Sequence, residues 1–148
     1  MLNCVWRSED IKIRGDSKAR YFNLNTDNFQ PMKHYPIEHE FSPDDSNITS
    51  EDLWGNLEYW IKAITPVAEE EGIKLGIHPD DPPVGSINGV PRILSSFDSY
   101  KRLIDIYPSD ANGIEFCQGT FSEMNEDIYE MIRYFGDCLL YTSDAADE

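Results

Sequence analysis

Gly76-Ile77-His78-Pro79-Asp80-Asp81-Pro82-Pro83 constrains what this chain can fold into more than any other stretch. The residues before it, Gly72-Ile73-Lys74-Leu75, read as a short buried strand. Prolines stop a strand abruptly, because they bring no N–H to a sheet ladder. A histidine and two carboxylates are then left at the strand tip, where they are poor packing material. In an α/β protein the tips of parallel strands are where ligands and metals sit.

The flanking pattern points to that fold class. Thr49-Ser50-Glu51-Asp52 is a helix start, with a hydroxyl cap and acidic residues in the first turn. Leu53, Leu57, Trp60, Ile61, Ile64 and Val67-Ala68 recur at helical spacing, and Gly72 is the expected stop. Pro66 lies inside the pattern and is expected to kink it. Ile73–Ile77 is the strand, and 79–91 reads as a loop. Ser95 or Ser96 caps a second helix carrying Phe97, Tyr100, Leu103, Ile104 and Ile106. Asn112-Gly113 leads into a second strand, Ile114–Cys117, and 127–135 reads as a third helix. Strand, helix, strand over this length makes one βαβ step, which takes about 30 or more residues. Alternation of this kind predicts a parallel sheet covered by helices. Right-handed crossovers would place His78 and Cys117 at equivalent positions on neighbouring or near-neighbouring strands. Upstream, Leu2–Trp6 is a candidate strand, and Ser8 to about Ser46 reads as a long, aromatic-containing excursion.

Each candidate site residue has a plain structural alternative. An imidazole and a thiolate can share a transition metal; equally, His78 can be a strand-end histidine and Cys117 a small buried hydrophobe. Asp80 and Asp81 can serve acid–base chemistry or a metal, or can be turn chemistry with a fixed backbone. Arg92 can grip a substrate carboxylate with its fork, or make a surface salt bridge, and Arg7 carries the same two readings. Arg14-Gly15-Asp16 and Asn47-Ile48-Thr49 match short adhesion and glycosylation patterns that nothing else supports.

Composition removes other classes. With 12 basic and 28 acidic residues the formal charge is −16, which argues against nucleic acid or an anionic membrane surface as partner. The three cysteines, Cys4, Cys117 and Cys138, are scattered, so reduced thiols and a cytoplasmic setting are expected. Neither a signal peptide nor a membrane-spanning segment is expected from the sequence.

The run Ile64–Pro83 closely resembles the metal-dependent mannonate dehydratase family, which has a xylose-isomerase-like barrel. Gly89-Val90-Pro91-Arg92-Ile93 and Asn112-Gly113-Ile114-Glu115-Phe116-Cys117-Gln118-Gly119-Thr120 match the next two family signatures in order. Trp6-Arg7-Ser8 and Arg14-Gly15 look like its earlier arginine-bearing segments. The resemblance implies part of a (β/α)8 TIM barrel, and dehydration of D-mannonate to 2-dehydro-3-deoxy-D-gluconate in hexuronate breakdown. It implies Mn2+ or Fe2+ as cofactor and a homo-oligomeric parent enzyme. His78 and Cys117 are then metal ligands, and Arg7, Asp80, Asp81 and Arg92 are expected to bind substrate. The family's later ligands and catalytic groups have no counterpart in this chain. Gln118-Gly119-Thr120-Phe121 departs from the Thr-Gly-Ser-Leu of many members. A sugar isomerase or epimerase of the same barrel type, and a non-catalytic α/β binding fragment, are the competing readings. Residues 1–137 are thus expected to be a fragment of one barrel domain, inactive alone. Residues 138–148, Cys138-Leu139-Leu140-Tyr141-Thr142-Ser143-Asp144-Ala145-Ala146-Asp147-Glu148, resemble a translated transposon-end sequencing adapter and are expected to be a non-native tail.

Overall fold

The computed structural model describes residues 11–12, 18–19, 48–87, 90–136 and 139–143. The chain divides into two compact units, residues 1–44 and 45–148. In the first, β1 (Ile11–Lys12) pairs antiparallel with β2 (Lys18–Ala19). The strand expected at Leu2–Trp6, with Arg7 after it, lies outside the described residues, as does most of the expected excursion.

The second unit opens with α1 (Ser50–Glu71). Thr49 Oγ1 accepts from Asp52 N at 3.2 Å, and Asp52 Oδ2 accepts from Thr49 N at 2.9 Å. This is a capping box with aspartate in the third position. The Thr49 hydroxyl and amide hold the Asp52 carboxyl below its ordinary range. At the other end Gly72 takes φ 65°, and the amide of Ile73 reaches back to Ala68 O at 2.8 Å. Glycine has no Cβ to penalise that left-handed turn. Pro66 lies within α1, which is one helix across it. The buried stripe is Trp54, Leu57, Ile61, Thr65 and Ala68. Trp60 and Val67 face outward instead, one residue off a stripe that advances three or four positions at a time.

β3 covers Leu75–Ile77, shorter than expected at its start. The stretch expected to be loop contains a small hairpin, β4 (Ser86–Ile87) with β5 (Val90–Pro91). α2 (Phe97–Ile106) is capped by Ser96, whose Oγ accepts from Ser99 N at 3.2 Å. β6 runs from Asn112 to Cys117 and passes directly into α3 (Gln118–Glu123), which the sequence pattern did not signal. α4 (Ile128–Phe135) is capped by Asp127, and β7 covers Leu139–Ser143. β3, β6 and β7 form one parallel sheet in that order, with Ile77 opposite Ile114 and Cys117 opposite Ser143. The predicted βαβ step is therefore present as two adjacent parallel strands.

Ile114 and Phe116 press one face of this sheet against the helices. There Leu57, Ile61, Tyr100, Leu103, Phe121, Met131 and Phe135 complete the core. The Phe116 and Phe121 rings stack at 4.2 Å, and Tyr100 lies 4.9 Å from Phe121. Asn112 is buried and donates through Nδ2 to Tyr107 O at 3.1 Å, satisfying a carbonyl beyond the end of α2. Glu69 at the end of α1 accepts from Tyr107 and Ser109, which pins the turn before β6. The starts of α1, α2, α4 and β6 are thus held by bonded neighbours. No helix among the described residues is long and apolar enough to cross a membrane.

Candidate metal and substrate site at the strand ends

Because β3 and β6 are parallel, their C-terminal ends lie at the same end of the sheet. Ile77, the last residue of β3, pairs with Ile114, and the position after Ile114 on β6 is Glu115. Cys117 lies two residues further along, about 7 Å at the usual strand rise. His78 thus follows the tip of β3 and Cys117 is the tip of the neighbouring strand β6, which runs three residues past Ile114. The cause is local: Pro79 ends β3, whereas β6 has no proline and continues to Cys117.

Side-chain alternation puts Ile77, Ile114 and Phe116 toward the helices. Gly76, Glu115 and Cys117 therefore take the opposite face. A Cβ on Gly76 would stand 3.5 Å from the Glu115 Cβ, which confirms that the two share a face. Cys117 accordingly projects on the side away from the packed core, and His78 follows directly on the end of the neighbouring strand.

His78 is exposed, and its Nδ1 lies 2.7 Å from Pro79 O. A carbonyl oxygen only accepts, so Nδ1 carries the hydrogen, and in the neutral ring Nε2 then keeps its lone pair. Cys117 is a buried free thiol, and Thr120 Oγ1 donates to its sulfur at 3.2 Å. The donor set fits half of a borderline-soft divalent site, with one imidazole nitrogen freed and one sulfur already accepting a hydrogen bond. Among the described residues no group of three or more His, Cys, Asp or Glu side chains converges on one point. These two donors are the part of a site that the described residues supply.

The expected substrate residues separate. Asp80 Oδ2 accepts from Leu94 N at 2.8 Å, and Asp80 Oδ1 lies 3.2 Å from Arg92 Nε. That ionic contact is not an aligned hydrogen bond, since Arg92 Nε has no hydrogen-bond acceptor among the described residues. Arg92 Nη2 donates to Asp81 O at 3.0 Å. Both side chains of the pair are largely buried, at 14% and 11% exposure. Asp81 is exposed, and Arg7 lies outside the described residues.

Two residues near the strand ends escaped sequence reasoning. Glu115 is half-buried on the Cys117 face; its signal was a charge two positions before the cysteine in an otherwise apolar strand. Tyr100 is fully buried on α2, and its hydroxyl reaches Ile77 O at 3.4 Å. Burial pushes its phenol far up, with smaller contributions from the negative charges of Asp80, Glu115 and Cys117. Tyr100 is therefore a neutral donor beside the end of β3, and no sequence spacing announces that.

A sequence profile of D-mannonate dehydratase (UxuA) matches residues 36–143. A mannonate dehydratase of Streptococcus suis is 51% identical over 89 residues, covering 60% of this chain and 24% of the relative. One from Oceanobacillus iheyensis is 53% identical over 88 residues, covering 59% and 25%. The crystal structure of mannonate dehydratase from S. suis serotype 2 superposes with a TM-score of 0.62 at 40% identity, covering 69% of this chain and 31% of that one. The chain spans about a quarter of the length of the curated relatives it matches.

Proposed function

From the premise that this chain belongs to the D-mannonate dehydratase family, we propose that it is part of a hydro-lyase that converts D-mannonate to 2-dehydro-3-deoxy-D-gluconate. The observation that supports the site is the place of His78 and Cys117 at the ends of adjacent parallel strands, with His78 Nδ1 bonded to Pro79 O. His78 through Nε2 and Cys117 through Sγ would hold a divalent ion, Mn2+ or Fe2+. When bound, such an ion neutralises the sugar acid's carboxylate and stabilises the charge that develops as the α proton leaves.

The chain's own residues do the positioning. The Pro79 carbonyl keeps a hydrogen on His78 Nδ1, and the Thr120 hydroxyl orients the Cys117 sulfur. Asp81, exposed beside the histidine, and Arg7 are assigned to the substrate. Asp80 and Arg92 would have to give up their bonds to the loop to join them. The base that takes the α proton and the acid that protonates the departing hydroxyl belong to later strands. The parallel pairing of β3 with its chain neighbour β6 across the α2 crossover supports a (β/α)8 barrel. On this reading residues 1–137 are part of one barrel domain.

The test is D-mannonate consumption with Mn2+, measured on a protein carrying this sequence within the relatives' full span. His78→Ala is expected to cost at least about a hundredfold in turnover, as loss of a ligand exceeds the usual effect of its supporting residues. Unchanged turnover would sink the site. The 148-residue chain alone is expected to be inactive, and measurable dehydration by it would overturn the fragment reading. We further propose that residues 138–148 are translated adapter sequence. Sequencing the source locus across the Asp137 codon decides this, and uninterrupted genomic sequence encoding the tail refutes it.

A further inference from the structure

We propose that Asp80 and Arg92 are positioning residues that aim His78, rather than groups that touch the substrate. The inference rests on reading His78 as a ligand, but its core is a statement about one peptide plane. The oxygen that accepts from His78 Nδ1 is the Pro79 carbonyl. That carbonyl belongs to the same planar unit as the Asp80 N–H, and in a trans peptide the two point in opposite directions. The Asp80 N–H donates to Leu94 O at 2.9 Å. Anchoring the N–H on Leu94 therefore turns the carbonyl toward the imidazole.

What holds Asp80 on Leu94 is a closed set of contacts. Leu94 N returns a hydrogen bond to Asp80 Oδ2 at 2.8 Å, and Leu94 is 1% exposed, locked in the core. Arg92 Nε stands 3.2 Å from the other carboxylate oxygen, and Arg92 Nη2 holds Asp81 O at 3.0 Å. The Arg92 amide is in turn fixed to Gly85 O at 3.0 Å. Both Asp80 oxygens and two guanidinium nitrogens thus face the protein. The charge pair grips the two residues that follow the Pro79 carbonyl. An exposed imidazole, which nothing else among the described residues holds, receives its tautomer and direction from that carbonyl. The lone pair on Nε2 is left facing outward before any ion arrives, which lowers the cost of organising the ligand.

The readout is the tautomer of His78 in the metal-free 148-residue chain, from imidazole 15N shifts at about pH 8.5, where histidine is neutral. The native chain is expected to carry its hydrogen on Nδ1. Arg92→Ala and Asp80→Asn are expected to move His78 toward the Nε2-protonated form and to weaken Co2+ binding about 10–100-fold. Arg92→Lys, which keeps the charge beside Asp80 but loses the grip on Asp81 O, is expected to restore part of both. If Arg92→Ala loses the dispersed amide signals of Leu103 and Ile114, the decision passes to Asp80→Asn and Arg92→Lys. A native chain with its hydrogen on Nε2, or folded variants that keep the native tautomer, would overturn the proposal. Tautomer changes as expected, in a chain that binds no Co2+ in any form, would uphold the positioning role and refute the metal site.

Discussion

Phe121→Ala is expected to lower the stability of the second unit by about 3–5 kcal/mol, read as a shift of the urea midpoint at constant slope. Phe121 is fully buried, stacks on Phe116 at 4.2 Å and packs on Tyr100 at 4.9 Å. The truncation removes a whole ring from the place where strand, α2 and α3 meet, and the neighbours cannot all collapse into the space. The consequence reaches the site. α3 begins at Gln118, so Phe121 is the anchor that holds the turn from Cys117 to Thr120 against the sheet. The Thr120 hydroxyl should leave the Cys117 sulfur as that turn loosens, and Co2+ affinity should fall with stability. A midpoint shift under about 1 kcal/mol would show that α3 is not part of the core.

Cys117→Ala is expected to abolish the thiolate-to-metal absorption of the Co2+-loaded chain and to weaken binding by more than about a hundredfold, beyond what outer contacts cost. Stability should change far less than in Phe121→Ala, because the sulfur is a small part of the buried volume. That contrast separates the two readings of the residue. A buried cysteine serving only as a hydrophobe would show the stability loss without the spectral change. Retention of the absorption band in Cys117→Ala would assign the metal to other sulfur and end the His78–Cys117 pairing.

Much of the framework was legible in particular residues. Thr49 and Asp52 announced the start of α1, Gly72 its end, Ser96 and Asp127 the starts of α2 and α4. Each signal was legible because the chemistry is local: a side chain bonds an amide two or three residues away, or a glycine accepts a turn that other residues resist. The parallel pairing of β3 and β6 followed from the helix between them. By contrast α3 has no side-chain cap at Cys117, so it carried no start signal. The β4–β5 hairpin was hidden in a proline-rich stretch. Trp60 and Val67 fitted a helical period but not the stripe that is buried.

For the site, residue types and order were readable, and partnerships were not. His78 and Cys117 could be named from the strand ends they occupy. Their stagger along the sheet could not, because register depends on bonds between strands separated by a whole helix. The contacts of Asp80 and Arg92 were not readable, since nothing in a linear reading brings Leu94 to the Asp80 amide.

The sequence by itself determined where α1, α2 and α4 start and where α1 and β3 end, and which end of the sheet carries the imidazole and the thiol. Those outcomes need only neighbouring residues: a proline without an N–H, a glycine at positive φ, a hydroxyl at a helix start. The tertiary structure decided that β6 runs three residues past the point where β3 ends, and that Asp80 and Arg92 bond to the segment whose Pro79 carbonyl accepts from His78. These depend on hydrogen bonds and packing across long loops, and the free energy of such contacts exists only once the sheet and its helices have come together.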